Sequence, residues 1–354
     1  MSEMLLMKGN EAMAEAAIRA GSEGYFAYPI TPQSEVAEYM AREAPKHGTV
    51  FLQAESELAA INMLYGAAGA GFKVWTSSSS PGISLMQEGI SYIAGAMLPC
   101  VIVNVNRGGP GLGTIQPSQG DYFQTVKGGG HGDYRLITLA PSTVQEIADY
   151  MSLAFDLAWK YRNPAMILMD GALGQMMEKV QFKPYTDPGR DFSWSTRGKK
   201  EDRESNFITS LFIKPEEMEQ VNLQLQRTYR EIEKNEVRYE TYEIDDADLV
   251  FVAYGLSARI ASKVMHILRN KGLKVGLVKP VTLWPYPYKI LHDLADRVKG
   301  FFVMELNAGQ MVEDVRLGVN GKKEVGFYGR MGGMIYSPEE VAEKVEAFAR
   351  KIGM

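Results

Sequence analysis

The chain has 354 residues, a formal net charge of −5, and a composition that is 45% hydrophobic and 23% charged. These values are typical of a soluble globular protein of about two domains. The charge creates no basic field, which argues against nucleic acid as a partner. No stretch approaches the ~18 apolar residues of a membrane span. The first residues have too short an apolar run and too early a charge for a signal peptide, so the sequence predicts a cytoplasmic protein.

Metal-binding residue types are scarce in this sequence. The single cysteine, Cys100, excludes an intrachain disulfide, and a cluster with four thiolate ligands cannot be built from this chain alone. The histidines are far apart and show no metal-ligand spacing. We therefore expect no metal site in this chain, and we expect any redox metal to lie on another chain.

The first half of the chain alternates helix-like and strand-like runs. Asn10 is expected to cap the first helix, Gly21 to end it, and Pro32 to occupy the first position of the second helix. The predicted strands are GYFAYPI, TVFLQA, KVWTSS, PCVIVNV and AMILMD, and the predicted helices are NEAMAEAAIRAG, PQSEVAEYMAREA, ELAAINMLYGAAGAG, SLMQEGISYIAGAM and STVQEIADYMSLAFDLAWKY. Such alternation predicts a parallel sheet with helices on both faces.

The alternation stops after about residue 180 and returns near residue 244. The intervening 181–243 segment begins with a polar, turn-rich stretch and ends in the helical pattern KPEEMEQVNLQLQRTYREIEKNEVRYE. The later runs are the strands ADLVFVAYG, KVGLVKP and GFFVMEL and the helices SARIASKVMHILRNKG, PYKILHDLADRV and SPEEVAEKVEAFARKIG. The sequence therefore predicts an α/β domain at 1–180, an arm and lead-in helix at 181–243, and a smaller α/β domain at 244–354.

The dipeptide Thr31-Pro32 follows the first predicted strand. We place Thr31 at the N-cap of the next helix and Pro32 in its first turn, where a missing N–H costs nothing. A helix N-terminus at the carboxyl end of a parallel strand can bind an anion, and the Thr31 hydroxyl would face the same space. An ordinary capped helix explains the dipeptide equally well.

Acidic residues follow the second predicted strand. Glu55, Ser56 and Glu57 open the next helix, where acidic side chains suit the helix dipole. Simple capping therefore explains them. A functional interpretation is a carboxyl group held against apolar neighbours, where its protonation state is tunable.

Arg107 directly follows a buried strand and precedes a glycine-rich loop. A guanidinium at that place is suited to bidentate binding of a carboxylate, although a surface arginine in a mobile loop is an equally good interpretation. The loop matches neither the dinucleotide nor the P-loop fingerprint.

Two further loops carry polar side chains, and neither gives a strong signal. Residues 76–82, TSSSSPG, carry hydroxyls and a following glycine, and they could bind phosphate, shape a pocket or form a polar turn. His131 lies between glycines and is expected to be structural or interfacial. The strand ends that carry Thr31, Glu57, Arg107 and the serines should meet at one edge of the sheet, which strengthens the case for a site.

Several of these motifs resemble one family. YPITPQSE, QAESELAA, SSSSPGISLMQEGISYIAGAMLPCVIV and NRGGPGLGTIQPSQGDYFQ are similar to the alpha-type chain of the 2-oxoacid:ferredoxin oxidoreductases. AYGLSARIASKVM and MELNAGQ resemble that family's transketolase C-terminal-like domain. The resemblance covers essentially the whole chain and is closer to the 2-oxoisovalerate (branched-chain) enzymes than to the 2-oxoglutarate enzymes. It implies a pyrimidine-type thiamine diphosphate-binding domain followed by a transketolase C-terminal-like domain.

The resemblance implies oxidative decarboxylation of a 2-oxoacid to acyl-CoA, with CoA as co-substrate and electrons passing through iron–sulfur clusters to ferredoxin. In this family thiamine diphosphate lies between two chains. The diphosphate and its magnesium are held by a partner chain that carries G-D-G, a motif absent here. The implied partners are a thiamine diphosphate-binding beta subunit, iron–sulfur and gamma subunits, and a second copy of this chain.

The resemblance also assigns roles to individual residues. Glu57 matches the glutamate that hydrogen-bonds N1′ of the aminopyrimidine, with Glu55 as its rival. Thr31 and Arg107 match the residues that hold the substrate carboxylate. Tyr28 and Pro29 of the same motif are expected to contact the cofactor.

Other interpretations of the sequence stay open at this point. The same reaction could act on 2-oxoglutarate, because a second anchor for a dicarboxylate cannot be recognised in sequence. A non-catalytic α/β scaffold would need no glutamate or arginine at the strand ends. A protein that binds NAD or phosphate is disfavoured by the missing fingerprints.

Overall fold

The computed structural model describes residues 4–185, 187–199 and 203–354. Its strands are β1 Met4–Lys8, β2 Gly24–Ala27, β3 Val50–Gln53, β4 Val74–Ser78, β5 Val101–Asn106, β6 Ile137–Leu139, β7 Ala165–Asp170, β8 Met177–Gln181, β9 Tyr239–Tyr242, β10 Leu249–Val252, β11 Val275–Pro280, β12 Thr282–Trp284, β13 Gly300–Glu305 and β14 Glu324–Gly329. Its α-helices are α1 Gly9–Arg19, α2 Ser34–Glu43, α3 Glu57–Gly69, α4 Ser80–Gly95, α5 Tyr122–Val126, α6 Val144–Tyr161, α7 Gly171–Gln175, α8 Pro215–Asn235, α9 Gly255–Asn270, α10 Tyr288–Leu294, α11 Met311–Val319 and α12 Pro338–Lys351.

The larger sheet has the strand order β12-β6-β7-β5-β4-β2-β3. Its strands are parallel except for β12, which pairs antiparallel with β6. Every residue of β4, β5 and β7 is buried, as expected for parallel strands covered on both faces. The predicted parallel α/β architecture is confirmed.

The helices divide between the two faces of this sheet. Side chains of α1, α2 and α6 share one hydrophobic core, and those of α3 and α4 form a second core. The chain leaves β2 through α2 toward β3, whereas it leaves β4 through α4 in the opposite direction. The carboxyl ends of β2 and β4 therefore flank a topological switch point, which is where open α/β sheets bind ligands.

The second sheet has the order β14-β13-β10-β11-β9, with β9 antiparallel to β11 and the other pairs parallel. Its strands β10, β11 and β13 pack against α9 and α12 in a third core. A separate antiparallel pair joins β1 to β8. The domain boundaries predicted at residues 180 and 243 stay a prediction. The sheets cross them, since β9 precedes residue 244 and β12 joins the larger sheet.

The structure corrects the predicted start of α2. This helix begins at Ser34 with Gln33 as its N-cap, so Thr31 is not the cap and Pro32 is not the first helical residue. Thr31 and Pro32 instead lie in a turn closed by the Gln33 N–H donating to the Ile30 carbonyl over 3.0 Å. The turn is favoured over an earlier helix start because the Pro32 carbonyl accepts a hydrogen bond from the Asn10 side chain over 2.9 Å.

The structure also corrects the predicted cap of the first helix, which is not Asn10. The first helix begins at Gly9 with Lys8 at the cap position, and Asn10 lies inside the helix with its side chain directed to Pro32 and Glu35. The predicted stop at Gly21 is confirmed by its positive φ of 71°. No helix in the described parts of the chain is long and apolar enough to cross a membrane.

Candidate functional site

The carboxyl ends of β2, β3, β4 and β5 point to one edge of the larger sheet, as predicted. The loops that follow them touch each other. The Arg107 side chain after β5 donates to the Thr31 carbonyl after β2 over 2.9 Å. The backbone N–H of Arg107 donates to the hydroxyl of Ser80, at the start of α4, over 3.0 Å. We call this meeting point the catalytic edge.

Glu57 is the first residue of α3 and is only 5% exposed. The helix is capped by Ser56, whose hydroxyl accepts a hydrogen bond from the Ala59 N–H over 3.1 Å, so capping does not require the Glu57 side chain. Within the described residues, nothing donates a hydrogen bond to the Glu57 carboxyl. The carboxyl oxygens therefore remain available to a ligand that enters this enclosed site.

Glu55 occupies a different environment. It precedes the helix and is exposed, whereas Glu57 is buried. The Glu55 side chain therefore faces solvent, whereas the Glu57 side chain is enclosed by protein. The residue types alone did not distinguish these two glutamates, and in the structure they differ in burial.

Gly82, on the first turn of α4, makes room for the Glu57 carboxyl. A Cβ atom at this position would lie 2.6 Å from Oε1 of Glu57 and 2.1 Å from Oγ of Ser78. The Ser78 hydroxyl is buried without a hydrogen-bond partner. The sequence pattern indicated that this glycine could help to shape a pocket, but it did not indicate the close approach to Glu57.

The Arg107 guanidinium is held by backbone carbonyls. One terminal nitrogen donates to Thr31 and the other to Leu112 over 3.0 Å, while Nε is buried without a partner. Since a guanidinium carries five N–H donors, these contacts leave one unused N–H on each terminal nitrogen, in addition to the buried Nε–H. The structure thus brings Arg107 and Thr31 together, as predicted.

The remaining predicted residues lie near this pair. Tyr28 is 38% exposed and Pro29 is half-buried in the stretch between β2 and Thr31. Thr31 is exposed. These three residues and Arg107 therefore occupy the same end of the sheet as Glu57.

The serine run after β4 is largely internal. Ser77, Ser78 and Ser79 are fully buried, and the Ser77 hydroxyl bonds to Tyr25 and Gln33 over 2.8 and 2.6 Å. Within this run only Ser80 is partly exposed, so the run shapes the wall of the site more than it offers hydroxyls to a phosphate. His131 uses its backbone carbonyl to accept a hydrogen bond from Ser91 over 2.7 Å.

The second domain closes one side of the catalytic edge. The Gln119 side chain accepts from the Leu306 N–H over 2.9 Å and from the Ser257 hydroxyl over 2.7 Å. Asp170 at the end of β7 accepts from the Leu256 N–H over 3.2 Å. Burial raises the pKa of Asp170 to about 6, and backbone N–H donors oppose that rise. These contacts fix the second domain against the loops of the first.

Two cavities flank the Arg107 loop. One of ≈ 490 Å³ lies beside Ser80, Asp121 and Asn307, and burial raises the pKa of Asp121 although hydrogen bonds from Ser80 and Asn104 lower it. Another of ≈ 580 Å³ includes Thr31 in its lining. A larger cavity of ≈ 890 Å³ around Trp284 shares no lining residue with either.

Metal ligands do not gather in the part of the chain that the structure describes. No group of three or more His, Cys, Asp or Glu side chains there is arranged to hold a metal ion. Cys100 is buried, and burial raises the pKa of its thiol.

Comparison with known proteins assigns the family. A family described as pyruvate flavodoxin/ferredoxin oxidoreductase, thiamine diP-bdg, matches residues 15–243, and one described as pyruvate:ferredoxin oxidoreductase core domain II matches residues 247–341. The chain belongs to the 2-oxoacid:ferredoxin oxidoreductase family. The predicted family resemblance is confirmed.

Relatives within the 2-oxoacid:ferredoxin oxidoreductase family differ in their sequence identity to this chain. The ketoisovalerate oxidoreductase subunit VorB of Methanothermobacter thermautotrophicus is 50% identical over 97% of both chains. The 2-oxoglutarate synthase subunit KorA of Methanocaldococcus jannaschii is 36% identical over 96% of this chain and 98% of that one. The order of resemblance expected from the motifs is therefore confirmed.

A solved member of the family confirms the predicted fold class. The 2-oxoglutarate:ferredoxin oxidoreductase of Magnetococcus marinus, solved with 2-oxoglutarate, coenzyme A and succinyl-CoA bound, superposes with a TM-score of 0.87 at 27% identity. The match covers 98% of this chain and 65% of that one, so this chain spans about two thirds of the solved chain. A split-gene transketolase matches with a TM-score of 0.59 at 13% identity, which shows likeness of fold alone.

Proposed function

We propose that this chain is the pyrimidine-side subunit of a thiamine diphosphate-dependent enzyme that oxidatively decarboxylates 2-oxoisovalerate to an acyl-CoA and CO2, with ferredoxin as electron acceptor. The observation that carries the proposal is the buried, unpartnered Glu57 carboxyl at the switch-point edge that also holds Arg107 and Thr31. The 50% identity to a ketoisovalerate oxidoreductase subunit favours the branched-chain substrate over 2-oxoglutarate.

The residues at the catalytic edge fit the pyrimidine part of thiamine diphosphate. Glu57 offers an unpaired acceptor or donor, and Gly82 leaves its carboxyl free of a neighbouring Cβ. Tyr28 and Pro29 would contact the same ring. When bound, thiamine diphosphate supplies the electron sink for decarboxylation. This chain's part is to hold a proton at the Glu57 carboxyl, where a buried group can exchange it with the ring nitrogen.

Substrate binding falls to Arg107 and Thr31. Arg107 retains N–H donors that its backbone contacts do not use, and a planar guanidinium binds a carboxylate bidentately. Because the carboxylate leaves as CO2, an anchor of this kind acts in binding and orientation more than in the chemical step.

Partner chains complete the enzyme. The diphosphate and its magnesium, the iron–sulfur clusters and the electron transfer to ferredoxin are assigned to beta, gamma and iron–sulfur subunits, and CoA is the co-substrate. Leu58 and Leu85, near the starts of α3 and α4, are exposed beside the catalytic edge, and partner chains or a second copy of this chain would cover such apolar surface. The complex is proposed to work in the cytoplasm.

The test is an assay of the assembled complex on a panel of 2-oxoacids with CoA and a viologen dye. We expect CoA-dependent dye reduction that is fastest with 2-oxoisovalerate. Iron–sulfur absorbance should appear only when partner chains are co-expressed. A complex that turns over no 2-oxoacid would favour the scaffold alternative, and a preference for 2-oxoglutarate would refute the proposed substrate.

A further inference from the structure

A loop of the second domain reaches the catalytic edge. Residues 330–336 lie between β14 and α12, and the Tyr336 hydroxyl anchors their end by donating to Ser257 over 2.6 Å. A Cβ atom on Gly108 would lie 2.7 Å from the backbone of Gly332 and Gly333. Such contact between two backbones fixes the 330–336 loop against the loop that carries Arg107.

This contact places Ile335 beside the proposed substrate anchor. Ile335 and Ile115 line the ≈ 580 Å³ cavity together with Thr31 and Pro32. Both isoleucines are well exposed, at 41% and 56%. The Pro32 ring packs closely against Gly171, where a Cβ atom would lie 2.7 Å from it. An apolar wall therefore adjoins the threonine that is proposed to face the substrate carboxylate.

The lining of the same cavity also has an acidic part. Glu35 and Glu38 line it with one lysine, Lys8, which pairs with Glu35 over 3.1 Å. Burial alone would raise the pKa of Glu35, but hydrogen bonds, including those from Gln175 and Asn10, outweigh burial and lower the pKa. The cavity therefore carries an excess of negative charge at neutral pH.

Resting on the proposed function, we propose that this cavity receives the side chain of the 2-oxoacid, with Ile115 and Ile335 selecting a branched aliphatic group and Glu35 and Glu38 opposing a second carboxylate. The walls come from both domains, so the second domain helps determine specificity. Apolar contact favours an isopropyl group over a methyl group. The acidic part repels the terminal carboxylate of 2-oxoglutarate.

The test compares kcat/KM of the assembled complex for 2-oxoisovalerate, pyruvate and 2-oxoglutarate. Differences of one or two methyl groups in an apolar pocket typically change kcat/KM by ~10- to 200-fold. Ile335→Ala and Ile115→Ala should each lower the preference for 2-oxoisovalerate over pyruvate by about fivefold or more. Leu317→Ala is the matched control, because Leu317 is a 65% exposed apolar residue on α11 and lines none of the cavities described above. It should leave the preference unchanged.

The acidic part has its own variant. Glu38→Gln removes a charge from an exposed side chain, and it should raise kcat/KM for 2-oxoglutarate relative to 2-oxoisovalerate by about twofold or more at low ionic strength. Equal changes for all substrates, or changes in preference below these thresholds, would overturn the assignment of the cavity.

Arg107→Ala in the same panel separates this inference from the proposed function. If Arg107→Ala raises KM for every 2-oxoacid while the isoleucine variants leave the preference unchanged, the side-chain cavity is wrong and the anchor stands. If Arg107→Ala changes no KM, the anchor itself is wrong, whatever the isoleucine variants do.

Discussion

Glu57→Gln is the substitution that bears most directly on the chemistry. Glutamine has nearly the same shape, and the Ser56 cap that starts α3 does not involve the Glu57 side chain. The variant loses a favourable helix-dipole contribution of about 0.3–1 kcal/mol. It also no longer buries an unpaired carboxyl group, which offsets that loss. The free energy of unfolding should therefore change by about 1 kcal/mol or less.

Activity should respond far more strongly than stability. A glutamine cannot take up or release the proton, so kcat of the assembled complex should fall by a factor on the order of 10² or more. Hydrogen–deuterium exchange at thiamine C2 should slow in parallel. Glu55→Gln is the control, because Glu55 is exposed two residues earlier. Unchanged exchange in Glu57→Gln, or equal slowing in Glu55→Gln, would refute the assignment.

Three further predictions, which use four substitutions, test other parts of the structure. Arg107→Ala should lower kcat/KM by roughly 10- to 200-fold, because a hydrogen bond to a charged group contributes ~1.5–3 kcal/mol. The loss should appear chiefly in KM and should be similar for different 2-oxoacids. An unchanged KM in steady-state assays would contradict this prediction. Gly82→Ala should lower kcat, because the new Cβ atom would lie 2.6 Å from the Glu57 carboxyl. Gly66→Ala is the control: a Cβ atom there meets nothing within 4 Å, so this variant should stabilise the fold by about 0.5–1 kcal/mol in denaturant titrations. Equal activities of the two variants would contradict this prediction. Because the pKa of Asp170 is raised to about 6 in the folded state, the folded state binds more protons than the unfolded state just below that pH. As the pH rises from 5 to 7, the free energy of unfolding of the wild type should therefore fall by about 1 kcal/mol relative to that of Asp170→Asn. Parallel pH profiles of the two proteins would contradict this prediction.

Local sequence patterns predicted the central strands and most helices. The runs that became β4, β5 and β7 are apolar and bounded by turn residues, which is enough to recognise buried parallel strands. Strands β6 and β12 have three residues each and were missed. The β1–β8 pair joins segments about 170 residues apart, and its pairing has no local signature.

The sequence predicted which residues form the candidate site, but it did not predict the contacts between them. Strand-end positions brought Thr31, Glu57 and Arg107 to one edge through topology alone. The turn at Thr31-Pro32 was misread as a helix start, because the deciding contact comes from Asn10, which lies 22 residues away. The approach of Gly332 and Gly333 to Gly108 depends on packing between the domains and could not be read from sequence.

The central claim is that this chain holds one half of a site that a partner chain completes. Calorimetric titration of thiamine diphosphate with magnesium into the isolated chain, and into the chain assembled with its partner subunits, tests that claim most directly. We predict no micromolar binding by the isolated chain, and binding by the assembly that Glu57→Gln weakens. Micromolar binding by the isolated chain, or binding by the assembly that is indifferent to Glu57, would contradict the account.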